Sequence, residues 1–174
     1  MRNRFVQQLE HLNRELIAMG TRVEQAILLA VEGLMDSDTD KARRAIEADG
    51  DIDGMERDIE RQCLKLLLQQ QPVASDLRRI STALKMITDM ERIGDHAEDI
   101  SEITLRLAQP GALPKPDHIR AMARETTAML GHSIDAFVRQ DQALAEAVIA
   151  QDDVVDGLFS QVQADLLAVI RQQA

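Results

Sequence analysis

Carboxylates spaced four apart recur along this chain: Asp49 with Asp53, Glu91 with Asp95, and Asp152 with Asp156. On a helix, residues i and i+4 share one face, so each pair points two carboxylates in one direction. Clustered oxygen ligands of this kind suit hard or borderline cations such as Mg²⁺, Ca²⁺, Mn²⁺ or iron. What separates these acids from ordinary solvated ones is that each pair interrupts an apolar line. Leu77, Ile80, Leu84 and Ile87 lead into Glu91, Gly94 and Asp95. Ala42 and Ile46 lead into Asp49, Asp53, Glu56 and Glu60 before the line turns apolar again at Leu64 and Leu67, and Ile149 leads into Asp152 and Asp156. A helical hairpin about Pro72 and Val73 sets Asp53 level with Ile93, so Asp49 and Asp53 face Glu91, Asp95 and Asp99 at one height. Acids gathered on apolar stripes repel one another and are costly to desolvate unless protons or cations neutralise them. Gly50, Gly54 and Gly94 stand beside them, each costing a helix about 1 kcal/mol. They read as places of close helix approach or room for a ligand. His96 flanks the cluster but points about 100° away from Asp95. Arg78 and Arg79 read as surface charges, and Arg92 as a surface charge or a partner of the acids.

The elements that must position these residues are helices. Proline and glycine are sparse, and nearly everything between the breaks has a period near 3.6, so the fold class is all-α. The first helix is expected from about Asn3 to Met35, with Met19, Val23, Ala26, Ala30 and Leu34 as its apolar line. Asp38 caps a second helix running to about Gln70. After Pro72, Ser75 or Asp76 caps a third that continues to about Ala108. The breaker QPGALPKP follows at 109–116, then helices over about 117–139 and 141–172. Helices of ~33 residues are ~50 Å long, which makes an elongated bundle. A second helix-3 line through Met86, Met90, Ile93, Ala97 and Ile100 implies burial on two sides.

Sliding the chain along itself by 103 residues superposes Asp38, Ala42, Ile46, Asp49, Asp53 and Leu64 on Asp141, Ala145, Ile149, Asp152, Asp156 and Leu167. That is an internal repeat, and it implies two copies of one three-helix unit: 1–109, a linker over 110–116, and 117–174. The counterpart of the third helix falls at about 179–211, beyond Ala174, so the second unit is read as lacking it. Helices 4 and 5 then carry apolar lines that a second copy of the chain or further residues would cover.

Composition removes several function classes. Thirty acidic against twenty basic residues give a formal charge of −10, which opposes counterion-release binding to nucleic acid. With no Trp or Tyr and three Phe, platforms for stacking bases are missing too. Cys63, in the run CLKLLL, reads as a buried inert thiol in a reducing compartment. No apolar run approaches the ~20 residues of a membrane span, and the N-terminal stretch has no secretory core. The expectation is a cytoplasmic protein that meets membranes only through partners.

The stretch PVASDLRRISTALKMITDMERIGDHAEDI at 72–100 resembles the third-helix signature of the PhoU family of phosphate-signalling accessory proteins, with DLR and ERIGDHA as its specific parts. IEADGDIDGMERDI at 46–59 and FVQQLEHLNRELIAMG near the N-terminus are similar to the same family. The resemblance spans essentially the whole chain. It implies tandem three-helix bundles that dimerise. It also implies a negative regulator of phosphate uptake linking the ATPase subunit of a phosphate ABC transporter to a sensor histidine kinase. In some members it further implies multinuclear metal sites built from E(D)xxxD motifs, which here map onto Asp49 and Asp53, Glu91 and Asp95, and Asp152 and Asp156. Where the family often has Asn, this chain has Asp99, one more negative charge. With no second ERIGD-type helix, Asp152 and Asp156 lack the partners the pattern gives them.

The rival reading is a carboxylate-bridged metalloenzyme of the ferritin type, built on Glu plus Glu-x-x-His. No histidine here has Glu three positions before it: Gln8, Ile93, Lys115 and Met129 occupy those places. A purely structural dimerisation bundle leaves the interrupted stripes unexplained. No Walker motif, Ser/His/Asp set or nucleophilic Cys site is evident, so the expected role is non-enzymatic.

Overall fold

Two aspartates related by the 103-residue offset begin helices in the same way. In the computed structural model, which describes residues 2–70, 73–107 and 115–173, the chain forms five helices: α1 (Arg2–Asp36), α2 (Thr39–Gln70), α3 (Ala74–Leu107), α4 (His118–Arg139) and α5 (Gln142–Gln173). Between α1 and α2, Ser37 takes a left-handed φ of 57°, while the Ser37 and Asp38 amides donate to the Leu34 and Gly33 carbonyls at 3.4 and 2.9 Å. Between α4 and α5, Gln140 has φ 55° and the Gln140 and Asp141 amides donate to Phe137 and Ala136 at 3.2 and 2.9 Å. Both are Schellman closures. In each the next aspartate caps the following helix: Asp38 Oδ1 accepts from the Asp40 and Lys41 amides at 3.0 and 3.1 Å, and Asp141 Oδ1 from Leu144 at 3.0 Å. The repeat seen in the sequence therefore extends to the turn geometry. Asp38→Ala, which strips two amides of their acceptor, is expected to cost about 1 kcal/mol; denaturant unfolding of that variant against the parent measures it.

The third helix starts earlier than its polar residues suggest. α3 begins at Ala74, with the Leu77 amide on the Val73 carbonyl at 2.9 Å, so Ser75 and Asp76 lie inside its first turn and neither caps it. The breaker at 109–116 and the turn at Pro72 fall largely or wholly outside the described residues.

α1, α2 and α3 pack pairwise around one core. Leu12, Leu16, Met19, Val23, Ala26 and Ala30 of α1 face Ile52, Ile59, Cys63 and Leu66 of α2 and Ile80, Ala83 and Ile87 of α3, all at most 2% exposed. The Cys63 thiol lies in this core, and burial, with Glu60 nearby, pushes its pKa up to about 11. It stays protonated at neutral pH, as an inert structural thiol should. α4 lies on α1 and sends Leu130 and Ile134 into the same core. A polar tether joins its start to the α1–α2 turn: Asp36 accepts from Arg120 at 2.5 Å and Lys41 at 3.4 Å, and these two cations hold its carboxyl below the ordinary range.

Among the described residues α5 packs on α4 alone. His118 Nδ1 lies 2.7 Å from Asp165 Oδ2, and Gln151 donates to Glu125 at 2.9 Å. The rest of α5 is open, with Ile149 74% exposed and Phe159 51%. Between α3 and the α4–α5 hairpin, over α1, runs a cleft of about 610 Å³ bordered by Met86, Met90, Ile93, Met122, Met129 and Val155. The second line of α3 thus faces this cleft; Met90 and Ala97 are buried, whereas Met86, Ile93 and Ile100 are half-covered.

Candidate metal centre

The α2–α3 contact is held by small residues. On α3 the buried line is Ile80, Ala83, Ile87, Met90, Gly94, Ala97, Ser101 and Thr104, at alternating spacings of three and four. On α2 it runs through Ala42, Ala45, Ala48, Ile52, Ile59, Cys63 and Leu66. Glu91 and Asp95 therefore do not sit on the centre of the α3 stripe; they flank it, as Asp49 and Asp53 flank the α2 stripe. Gly94 is what lets the two helices close. A Cβ there would lie 3.1 Å from Ile52 Cδ1, 3.3 Å from Ile52 Cγ2 and 3.6 Å from Asp49 Oδ1. Gly50 and Gly54 play no such part, since a Cβ at either would meet nothing within 4 Å.

At the rim of that close approach Asp49, Asp53 and Asp95 each offer a carboxylate oxygen, and the three oxygens lie within 4.8 Å of one another. Asp49 and Asp53 are half-buried. Asp49 Oδ1 is buried with no hydrogen-bond partner, and an unpaired buried carboxylate oxygen is costly. Burial, then the charges of Asp53 and Asp95, raise the Asp49 carboxyl above the ordinary range. This donor set fits a hard cation bound through oxygen: three acids, one holding an unsatisfied inward oxygen, on two rigid helices.

Glu91 stays outside the trio. Its carboxyl is nevertheless raised by burial and by the charges of Asp95, Glu56, Asp53 and Asp49, so it shares the field of the cluster. Glu98 behaves likewise, raised by burial and by Asp49, Glu102, Asp95 and Asp99. Glu98 was not singled out along the chain; the crossing of α2 and α3 brings it into the field of Asp49, and the same crossing brings Glu56, already on the acidic line of α2, into that of Glu91. Asp99 lies apart, 72% exposed and 3.9 Å from His96. Arg57 sits 3.5 Å from Asp53, a partly solvated pair that leaves Asp49 uncompensated.

Asp152 and Asp156 are exposed on α5 and join no comparable group among the described residues. Asp152 borders the α3–α4–α5 cleft, where His96 also lies. The offset explains the contrast. Asp49 faces α3, whereas its counterpart Asp152 faces a cleft.

The PhoU domain family model matches residues 16–104 and again 119–174, one match for each side of the repeat. The chain is 35% identical over 167 residues to the phosphate-specific transport system accessory protein PhoU homolog of Aquifex aeolicus, covering 96% of this chain and 76% of that protein. It is 31% identical over 170 residues to the PhoU accessory protein of Escherichia coli K12, covering 98% and 70%. Among solved structures, the crystal structure of PhoU from Pseudomonas aeruginosa superposes with a TM-score of 0.89 at 34% identity, over 97% of this chain and 81% of that one. PhoU from Streptococcus pneumoniae, at 24% identity and a TM-score of 0.88, shares the fold. A doubled domain match, relatives at this identity over nearly the whole chain and a repeat visible in its capped turns agree: the chain belongs to the PhoU family.

Proposed function

We propose that this protein is a regulatory accessory protein of phosphate transport that restrains uptake and the phosphate-starvation response when phosphate is plentiful. In this reading it is a cytoplasmic adaptor. It couples the ATPase subunit of a phosphate ABC transporter to a sensor histidine kinase and performs no catalysis of its own. The observation that carries the reading is similarity over nearly the whole of this chain to proteins named as accessory components of phosphate-specific transport. No helix among the described residues is long and apolar enough to cross a membrane, and in this reading the protein meets the bilayer through its partners. The Asp49, Asp53 and Asp95 trio enters as a structural or sensory metal centre, with an ion-bound cluster locking α2 against α3. The ferritin-type alternative gains nothing from the site, because no histidine joins the three acids among the described residues.

The deciding experiment is deletion in the native host, with a phosphate-starvation reporter read at high phosphate, alongside affinity capture of the tagged chain. Derepression, with the transporter ATPase or the kinase in the captured fraction, is expected. An unchanged reporter combined with oxidase or hydrolase turnover that Glu91→Gln abolishes would favour the enzyme instead. Self-association belongs to the same reading. The open apolar face of α5 carries Ile149, Phe159, Leu167 and Ile170, each more than half exposed, and contiguous exposed apolar residues mark contact surfaces. A dimer is expected by light scattering at micromolar concentration, and a monomer throughout that range removes self-association from the proposal.

A further inference from the structure

Between the first two turns of α3 and the last turn of α4 lies a recess of about 350 Å³, with Ser75, Arg78, Arg79 and Thr82 on one wall and Phe137 and Gln140 on the other. The four α3 residues follow the i, i+3, i+4, i+7 pattern and so share one helix face. Every polar side chain on that face can donate a hydrogen bond, and a guanidinium can do nothing else. No carboxylate lines the recess, although the chain carries a net charge of −10. On the same helix Lys85 and Arg106 are neutralised by Asp89 at 2.7 Å and Glu102 at 2.6 Å. Arg78 and Arg79 have no acid within ion-pair distance among the described residues, and Arg79 is half-buried.

The nearest acids in sequence do not supply the missing charge. Asp76 does not line the recess, and Asp141, the α5 cap, borders the adjoining recess beyond Gln140 and not this one. The α4 carbonyls on the far wall, Ala136 and Phe137, already accept from Asp141 and Gln140 at 2.9 and 3.2 Å. Two cations near the positive end of a helix are also unfavourably placed with respect to its dipole. A dianion in the recess reverses that balance.

We propose that this recess binds a tetrahedral oxyanion of the phosphate class. The Arg78 and Arg79 guanidinia supply the charge and fork geometry. The Ser75 hydroxyl donates from the same helix face, and the Gln140 amide donates from the opposite wall. A planar carboxylate would be satisfied by one fork. An acceptor with oxygens in several directions uses donors from two helices. The site is separate from the carboxylate trio: the sixteen-residue offset from Arg79 to Asp95 spans about 24 Å of helix. The same chemistry is offered by free orthophosphate or by a phosphoryl group esterified to another molecule, and the two sources are separable.

The test is an amide NMR titration of the whole, chelator-treated chain at constant ionic strength, with orthophosphate, phenyl phosphate and, as a control, chloride. Saturable shifts at Ser75, Arg78, Arg79 and Gln140 are expected with a phosphate probe and not with chloride. Response to both phosphate probes assigns the site to the free anion, and response to phenyl phosphate alone assigns it to an esterified phosphoryl group. Losing two charge-assisted donors in Arg78→Gln/Arg79→Gln should weaken binding by about tenfold or more, while Arg124→Gln on α4 should change it by less than about twofold. Shifts that fail to saturate above about 10 mM, that map elsewhere, or that survive in the double variant overturn the proposal. Should the double variant lose helicity, the shift map of the parent protein decides alone.

Discussion

Mn²⁺ or Mg²⁺ added to chelator-treated protein is expected to raise its melting temperature, and the rise is expected to disappear in Asp49→Ala/Asp53→Ala/Asp95→Ala. At a metal concentration 100 times the dissociation constant, linkage gives about 2.7 kcal/mol, which for a chain of this size is roughly 5–11 °C. The three oxygens already lie within 4.8 Å of one another, so binding asks for little rearrangement of the helices. Asp95→Asn separates metal binding from folding. It removes one of the charges that raise the Asp49 carboxyl, so the metal-free variant should be as stable as the parent or more so at neutral pH while losing the metal response. A parent protein with an unchanged melting temperature in both metals would mean that the trio holds neither ion.

The same cluster fixes a sign for pH. Asp49, Glu91 and Glu98 are all raised, so the folded state holds its protons more tightly than the unfolded chain. For these groups stability increases as pH falls from neutrality into the carboxylate range, and it is lost as pH rises through the raised folded values. Metal binding requires the ionised carboxylates and so gains with rising pH. Melting curves with and without Mn²⁺ should therefore diverge as pH rises and converge in acid.

The second large effect is expected at Gly94. Gly94→Leu inserts a side chain where even a Cβ would lie 3.1 Å from Ile52 Cδ1 and 3.6 Å from Asp49 Oδ1. Overpacking of a closed contact costs typically about 1–3 kcal/mol, and the relief available is separation of α2 from α3. That separation also carries Asp49 away from Asp95. The variant is thus expected to lose stability and metal response together, by chemical denaturation and metal titration respectively. Ile52→Ala/Gly94→Leu, which returns volume to the same contact, should recover part of both. Gly54→Ala supplies the contrast: a Cβ there meets nothing within 4 Å, so a gain of up to about 1 kcal/mol of helix propensity is expected. A Gly94→Leu protein as stable as the parent would mean that the two helices are not held at this distance.

The helices, their order, the turn at Asp38 and the 103-residue repeat were all legible along the chain, because a 3.6-residue period and capping chemistry are local properties. So was the pairing of Asp49 and Asp53 with Asp95, since an antiparallel hairpin fixes which residues share a height. The rotation of each helix about its own axis was not. Hydrophobicity drew the α3 stripe through Leu77 and Leu84 toward Glu91, but Leu77 is 48% exposed and the buried line passes through Ala83, Gly94 and Ala97. Small residues carry weak hydrophobic signal, yet they set how closely two backbones approach. That rotation places Glu91 beside the trio, brings Glu98 into its field and leaves Gly94, not Gly50 or Gly54, at the contact. Asp152 and Asp156 mark the same boundary: their sequence pattern matches that of Asp49 and Asp53, but a metal centre needs a facing helix, and a packing partner is a property of the tertiary structure.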